Sequence, residues 1–244
     1  MATTTAPGGF RVLVSTRTAG FRHASIEAGV AAIRRLGHEH GFAVDDTADP
    51  ARIGQGLAGY RAVVFLSTTG DLLDPGQQAA LERYLQDGGG WVGVHGAADA
   101  EYDWPWYGGL VGAWFRRHPA VQRATVRPAP GAAALAGKPP ARWERGDEWY
   151  DFRANPRGRV RVLATVDEST YRGGGMGTGH PIAWCRSTAA AGPGTAPWAI
   201  PAEASGSRRS WPTCWPASAM PPGGPRPAAP PVPNRRRAGG GSGG

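Results

Sequence analysis

The chain has 244 residues, enough for one domain with a sizeable core, and it contains no run of about 18 apolar residues that could span a membrane. Its formal net charge of +8 would suit a polyanion partner, but six arginines against one acid, Glu203, fall from Ser187 onward. The surplus of +3 before Ser187 is ordinary for a soluble enzyme, and no stripe of basic residues interleaved with aromatics marks a nucleic-acid surface.

Residues 1–9 read as a short disordered lead, without the basic and apolar stretches of a secretory signal. Arg11 to Ser15 is a short buried strand. From Ala24 to Leu36, apolar Ile26, Val30, Ile33 and Leu36 recur at helical spacing, with Gly37 as the expected stop. Gly41 to Val44 is a second strand and Arg61 to Leu66 a third. Pro75 opens a helix running to about Gln86, Asp87-Gly-Gly-Gly90 ends it, and Trp91 to Val94 is a fourth strand. Strand, loop, helix and strand in this order predict an α/β fold, a parallel sheet with helices on both faces. Later strands are expected at Val121–Val126, Val160–Val166 and Ile182–Trp184. The two cysteines, Cys185 and Cys214, form no metal-type spacing and no disulfide framework, which points to a reducing cytoplasm.

Ligands of such sheets sit beyond the carboxyl ends of the strands, so the loops after Ser15, Leu66 and Val94 are the candidate site. The first holds Arg22 and His23 just before a helix, where exposed amides favour an anionic or polar ligand group; a pair of solvated cap residues would look the same. The second, Ser67-Thr-Thr69-Gly-Asp71, offers hydroxyls and a carboxylate suited to sugar hydroxyls or a metal, or to a simple turn. The third, Gly93-Val-His95-Gly-Ala97, has the small neighbours of a nucleophile elbow, but it presents an imidazole, fit for a general base or a metal ligand. Asp99, Glu101 and Asp103 follow, then Trp104, Trp106 and Tyr107. His118-Pro119, Asp147-Glu148-Trp149-Tyr150 and His180-Pro181 add further imidazoles, carboxylates and aromatic faces. None of these has a tight metal-ligand spacing, so a metal site would be assembled from distant loops.

Taken together, Thr18 to His23, Phe65 to Asp71, Gly93 to His95, Glu101 to Tyr107, Leu110 to Gly112, His118-Pro119, Asp147 to Tyr150 and His180 to Trp184 resemble the ThuA-like family, named for trehalose utilisation. The agreement runs from about Arg11 to Arg186 with the motifs in family order. The resemblance implies a flavodoxin-like sheet of the class I glutamine amidotransferase type. Those enzymes carry an elbow cysteine where this chain has His95, so amidotransferase chemistry is not expected. The implied role is handling disaccharides or oxidised sugars, by hydrolysis or proton transfer, with a divalent metal such as zinc as a candidate cofactor. A carbohydrate-binding module without catalysis is the alternative. By position His95, Asp99 and Glu148 are the candidate catalytic residues. Arg22, Thr69, Asp71, Trp104, Trp106, Tyr107 and Trp149 are the substrate-binding candidates, and His23, His95 and His118 the metal candidates.

Residues 10–186 therefore read as the domain, and residues 187–244 as a foreign tail. Pro and Gly make up 22 of its 58 residues, against 39 of the preceding 186, so disorder is expected there. The family pattern continues with a Gly-Gly-Arg strand, a Leu-Gly-His turn and a closing helix, none of which follows Arg186. Codons for Pro197 to Ile200, read from the third base of the proline codon, permit Leu-Gly-His. The same shift at Thr213 to Met220 permits an amphipathic stretch beginning Leu-Leu-Ala. A frameshift between about Arg186 and Thr188 accounts for both. A chain so altered would leave a sheet edge uncovered and be weakly active or inactive.

Overall fold

The computed structural model describes residues 9–130, 132 and 140–186. The expectations for the lead and for the tail from Ser187, its frameshift included, lie outside the described residues.

The first half builds a parallel sheet. Strands β1 (Arg11–Ser15), β2 (Ala43–Thr47), β3 (Ala62–Leu66) and β5 (Gly90–Val94) lie in the order β2-β1-β3-β5, all parallel. Between them run α1 (Ile26–His40), the single turn α2 (Ala51–Gly54), the two-residue β4 (Thr69–Gly70) and α3 (Pro75–Gln86). Side chains alternate across a strand, so each strand feeds two cores. Val12, Val14, Val64, Leu66 and Val94 pack toward Val30 and Ile33 of α1. Leu13, Val63, Phe65 and Trp91 pack on the other face, toward Ile53 of α2 and Leu81 and Leu85 of α3. With both faces covered, β1, β3 and β5 read as near-continuous apolar runs, while the edge strand β2 carries Asp45 and Asp46, and this is the flavodoxin-like arrangement expected from the sequence.

The helix α3 starts where the sequence places it. Asp74 accepts from the Gln77 amide, Gln77 answers with its side chain, and Pro75 occupies the first turn, where its missing N–H costs nothing. Helix α1 corrects an expectation, because Gly37 does not end it. The helix continues to His40 and is closed by Gly41 in the left-handed conformation (φ 74°). Gly37 serves instead as a point of close approach. A Cβ there would lie 2.6 Å from the Phe42 carbonyl oxygen and 2.9 Å from a Val44 methyl, as the chain folds back into β2.

The second half departs from the parallel pattern. After the short β6 (Asp99–Ala100), α4 (Pro105–Val111) and β7 (Phe115–Arg117), the chain forms an antiparallel sheet. It comprises β8 (Gln122–Pro128), β9 (Trp143–Asp147), β11 (Arg161–Val166) and β12 (His180–Cys185), in the order β12-β11-β8-β9. Its core is Val126, Leu163, Val166 and Trp149. β4 pairs with β6, and β7 pairs with β10 (Asp151–Phe152), the strand that follows the Glu148–Tyr150 segment. No helix among the described residues is long and apolar enough to cross a membrane.

The Gly37 contacts generate a test. Alanine is the better helix former by about 1 kcal/mol, yet overpacking a closed site costs about 1–3 kcal/mol. Gly37→Ala is therefore expected to lower the denaturant midpoint in equilibrium unfolding; an unchanged or raised midpoint would remove the close-approach explanation.

Candidate active site

Two strand ends are bent into the left-handed region, where non-glycine residues are uncommon. Ser67 directly after β3 has φ 50°, and His95 directly after β5 has φ 51°. Such strain persists only where the surroundings hold it, and it concentrates at functional sites. At His95 the neighbours explain the turn. A Cβ on Gly96 would press on the backbone at Ser67 and Thr68 at 3.1 Å, and one on Gly93 would meet the Trp91 ring at 2.4 Å and the Ala97 methyl at 3.1 Å. The small residues read from the sequence are thus required sterically, and they turn an imidazole out of the sheet edge.

The first loop is fastened to the second. The amides of Ala19 and Gly20 donate to the Thr69 carbonyl, and the Thr69 hydroxyl donates to the Phe21 carbonyl at 2.7 Å. This brings His23, buried at 7 % exposure, edge-on against His95 with ring centroids 4.6 Å apart. The third contribution comes from the link between β9 and β10. There Glu148 lies with its Oε2 3.3 Å from His95 Nε2 and 3.8 Å from each of His23 Nε2 and His118 Nε2. The Tyr150 hydroxyl lies 3.1 Å from His95 Nε2 and 3.4 Å from His23 Nε2. Three imidazole nitrogens thus surround one carboxylate oxygen, and the phenol reaches two of the same imidazoles.

The ring of His118 is set by its other nitrogen. Nδ1 donates to the Pro119 carbonyl at 2.7 Å, which fixes the tautomer and leaves Nε2 as the atom facing Glu148. Burial, reinforced by the Glu148 charge, pushes the Tyr150 phenol well above its ordinary range, so it stays protonated. Burial also raises the Asp99 carboxyl, opposed by the Tyr102 hydroxyl 2.6 Å from its Oδ1 and by the nearby charges of His95, Arg153 and His118.

The donor set suits a divalent metal. One ligand atom each from His23, His95 and Glu148 falls within 4.8 Å of the others. Tetrahedral bonds of about 2.1 Å put neighbouring ligand atoms roughly 3.4 Å apart, close to the 3.3 and 3.8 Å that separate Glu148 Oε2 from His95 and His23 Nε2. Two imidazoles and a carboxylate leave one position open, the arrangement of catalytic rather than structural zinc sites.

The remaining candidates are placed elsewhere. Arg22 is half exposed and pairs with Glu27 at 2.7 Å. Asp71 is exposed, and among the described residues no hydrogen bond or ion pair joins it to the cluster. Trp104 and Tyr107 lie in the main core, with Trp106 stacked on Trp104 and the Tyr107 hydroxyl donating to the Ala97 carbonyl. Trp149 is 2 % exposed in the second core and donates to the Gln122 carbonyl. Its neighbour Tyr150 is the site residue that sequence reasoning passed over. Alternation along Glu148-Trp149-Tyr150 turns one aromatic into the core and the other to the site, and only the fold says which. Glu101, also strained at φ 52°, is a buried anchor that accepts the amides of Leu72 and Leu73. A cavity of about 150 Å³ adjoins His95, Glu148 and Tyr150, running between β5 and β12 beside Leu110, Val111 and Trp184.

A family model described as trehalose utilisation, ThuA, matches residues 11–196, past the point where the sequence was read as departing. A solved structure described as a ThuA-like protein, from Bacteroides uniformis, is 23% identical with TM-score 0.62, covering 75% of this chain and 81% of that one. Another, from Parabacteroides merdae, is 21% identical with TM-score 0.59, covering 72% and 74%. No curated protein matches the chain.

The raised Asp99 carboxyl has a consequence for stability. A group whose folded pKa lies above its unfolded value favours folding while both states are protonated, and that contribution is lost as pH rises through the folded pKa. Asp99→Asn, which keeps an acceptor for Tyr102, is expected to raise the melting temperature at pH 7, with the gain vanishing toward pH 3. A gain independent of pH would contradict the burial account.

Proposed function

Because the chain belongs to the ThuA family, we propose that the histidine–glutamate–tyrosine cluster acts on a disaccharide or oxidised sugar, by hydrolysis or proton transfer at a divalent metal centre. The observation that carries this reading is the convergence of the imidazoles of His23, His95 and His118 on Glu148 Oε2 at the carboxyl end of the sheet.

His23, His95 and Glu148 would hold the metal, which as a Lewis acid would polarise a substrate carbonyl or acidify a water or sugar hydroxyl. The other groups then divide the proton work. His118 is the most exposed of the three imidazoles, with 32% of its side chain in solvent, and its fixed tautomer leaves Nε2 to accept a proton. Tyr150, held protonated, donates a hydrogen bond to the oxygen on which charge develops. Asp99 supports His95 and His118 through its charge rather than by contact. The binding-module alternative, with Trp104, Trp106 and Trp149 as stacking platforms, is less well supported, since stacking on a sugar needs an exposed ring face, Trp104 and Trp149 are buried, and the half-buried Trp106 has one face on Trp104.

Metal analysis of the purified chain and calorimetric titration of its chelator-treated form with Zn²⁺, Mn²⁺ and Co²⁺ test the reading. About one equivalent is expected, with affinity reduced on the order of 100-fold or more in Glu148→Gln and His95→Ala. Turnover of disaccharides and their oxidised forms is expected to fall to background in both variants and in His118→Ala. Absence of metal binding, together with the same sugar chemistry in Glu148→Gln as in the parent, would refute it.

A further inference from the structure

The motif beginning at His180 is not absorbed by the site, yet it carries a fully buried imidazole. His180 opens β12 with no exposed surface. Its Nε2 donates to the backbone carbonyl of Tyr150 at 2.8 Å, which requires the proton on that nitrogen. Its Nδ1 faces Glu168 Oε1 at 2.9 Å and the Tyr171 hydroxyl at 3.1 Å. Glu168 is held in turn by the amides of Met176 at 2.8 Å and Gly177 at 3.1 Å.

The glycine run 173–175 is shaped around these groups. A Cβ on Gly174 would lie 2.6 Å from the Tyr171 hydroxyl oxygen and 2.7 Å from the Glu168 carboxyl carbon. Asp151, the next residue after Tyr150, is fixed by Arg117 at 2.6 Å and by the Gly175 amide at 2.9 Å. Ligand atoms of Asp151, Glu168 and His180 also lie within 4.8 Å of one another, as a metal site would require. Each is already engaged, however: an arginine neutralises Asp151, two amides point at Glu168, and the His180 Nδ1 that faces Glu168 also meets the Tyr171 hydroxyl at 3.1 Å. A cation would have to displace these partners, so the cluster is a clamp.

What it clamps is the backbone of the residue whose hydroxyl reaches His95 and His23. We infer that His180, backed by Glu168, is a positioning residue that holds Tyr150 in register over the His23–His95–Glu148 cluster. The inference rests on the proposed role of Tyr150 at that site. A buried imidazole donating to a main-chain carbonyl fixes that peptide in one orientation. A displacement of about 1 Å in a reacting group can cost on the order of 100-fold in rate.

The test compares His180→Leu, which removes the donor, with His180→Gln, which keeps an N–H near the position of Nε2. Glu168→Gln is a milder variant should leucine prevent folding. Crystal structures of the full chain are expected to show the Tyr150 hydroxyl moved away from His95 Nε2 by about 1 Å or more in His180→Leu and restored in His180→Gln. In turnover, kcat is expected to fall about 10–100-fold in His180→Leu with KM little changed. Combining it with Tyr150→Phe should cost no more than Tyr150→Phe alone. An unmoved Tyr150 in His180→Leu, or in Glu168→Gln where leucine does not fold, would overturn the inference, as would equal damage in His180→Gln. If the parent chain binds no metal and turns over no sugar, the proposed function fails, while the crystallographic comparison still decides the role of His180.

Discussion

The site depends on one nearly buried carboxylate held among imidazoles. Glu148 has 10% of its side chain exposed, and taking such a charge out of water is costly unless partners compensate it. His23, His95 and His118 lie around it, and they reach Glu148 from different parts of the fold. His23 and His95 come from loops at the carboxyl end of the parallel sheet, whereas His118 and Glu148 come from segments flanking the antiparallel one. The carboxylate therefore links the two sheets, and the geometry that could bind a metal is also the geometry that joins the halves of the molecule.

Holding the groups there requires strain on one side and clamping on the other. On the parallel sheet, Ser67 and His95 turn at positive φ, stabilised by glycines that admit neighbouring backbone and ring atoms. On the other, the carbonyl of Tyr150 is fixed by His180, and Asp151 by Arg117 and Gly175. The two devices are different in kind because the two segments are. A strand end can be re-aimed by a single residue, whereas the Glu148–Tyr150 link between β9 and β10 needs partners from other strands to stay in one conformation.

Much of the parallel half was legible because its signals are local. Apolar runs gave three of the four parallel strands within one residue, whereas the second, read as Gly41–Val44, lies at Ala43–Thr47 because its second half is polar. Pro75 marks the start of α3, and the reciprocal bonds of Asp74 and Gln77 that cap it are local as well. Gly37 was misread for a related reason. A glycine within an apolar period marks either a stop or a close approach, and only the return of Phe42 and Val44 distinguishes them. In the second half β8, β11 and β12 are legible near their observed positions, but β9 is not, and neither is the antiparallel pairing, since nothing in a short apolar run specifies its partner.

For this protein the sequence by itself determined the family, the parallel α/β half and the elbow that presents His95, because each rests on residue types at short spacing. Tertiary structure alone decided that His23, His118 and Glu148 share a single point, that Tyr150 rather than Trp149 faces it, and that Asp71 and Arg22 stay outside. Those outcomes depend on sheet pairing and loop fastening across more than a hundred residues, as in the Tyr150–His23 contact with its separation of 127 positions. A chain's local pattern carries no information about which of two adjacent aromatics a distant sheet will bury.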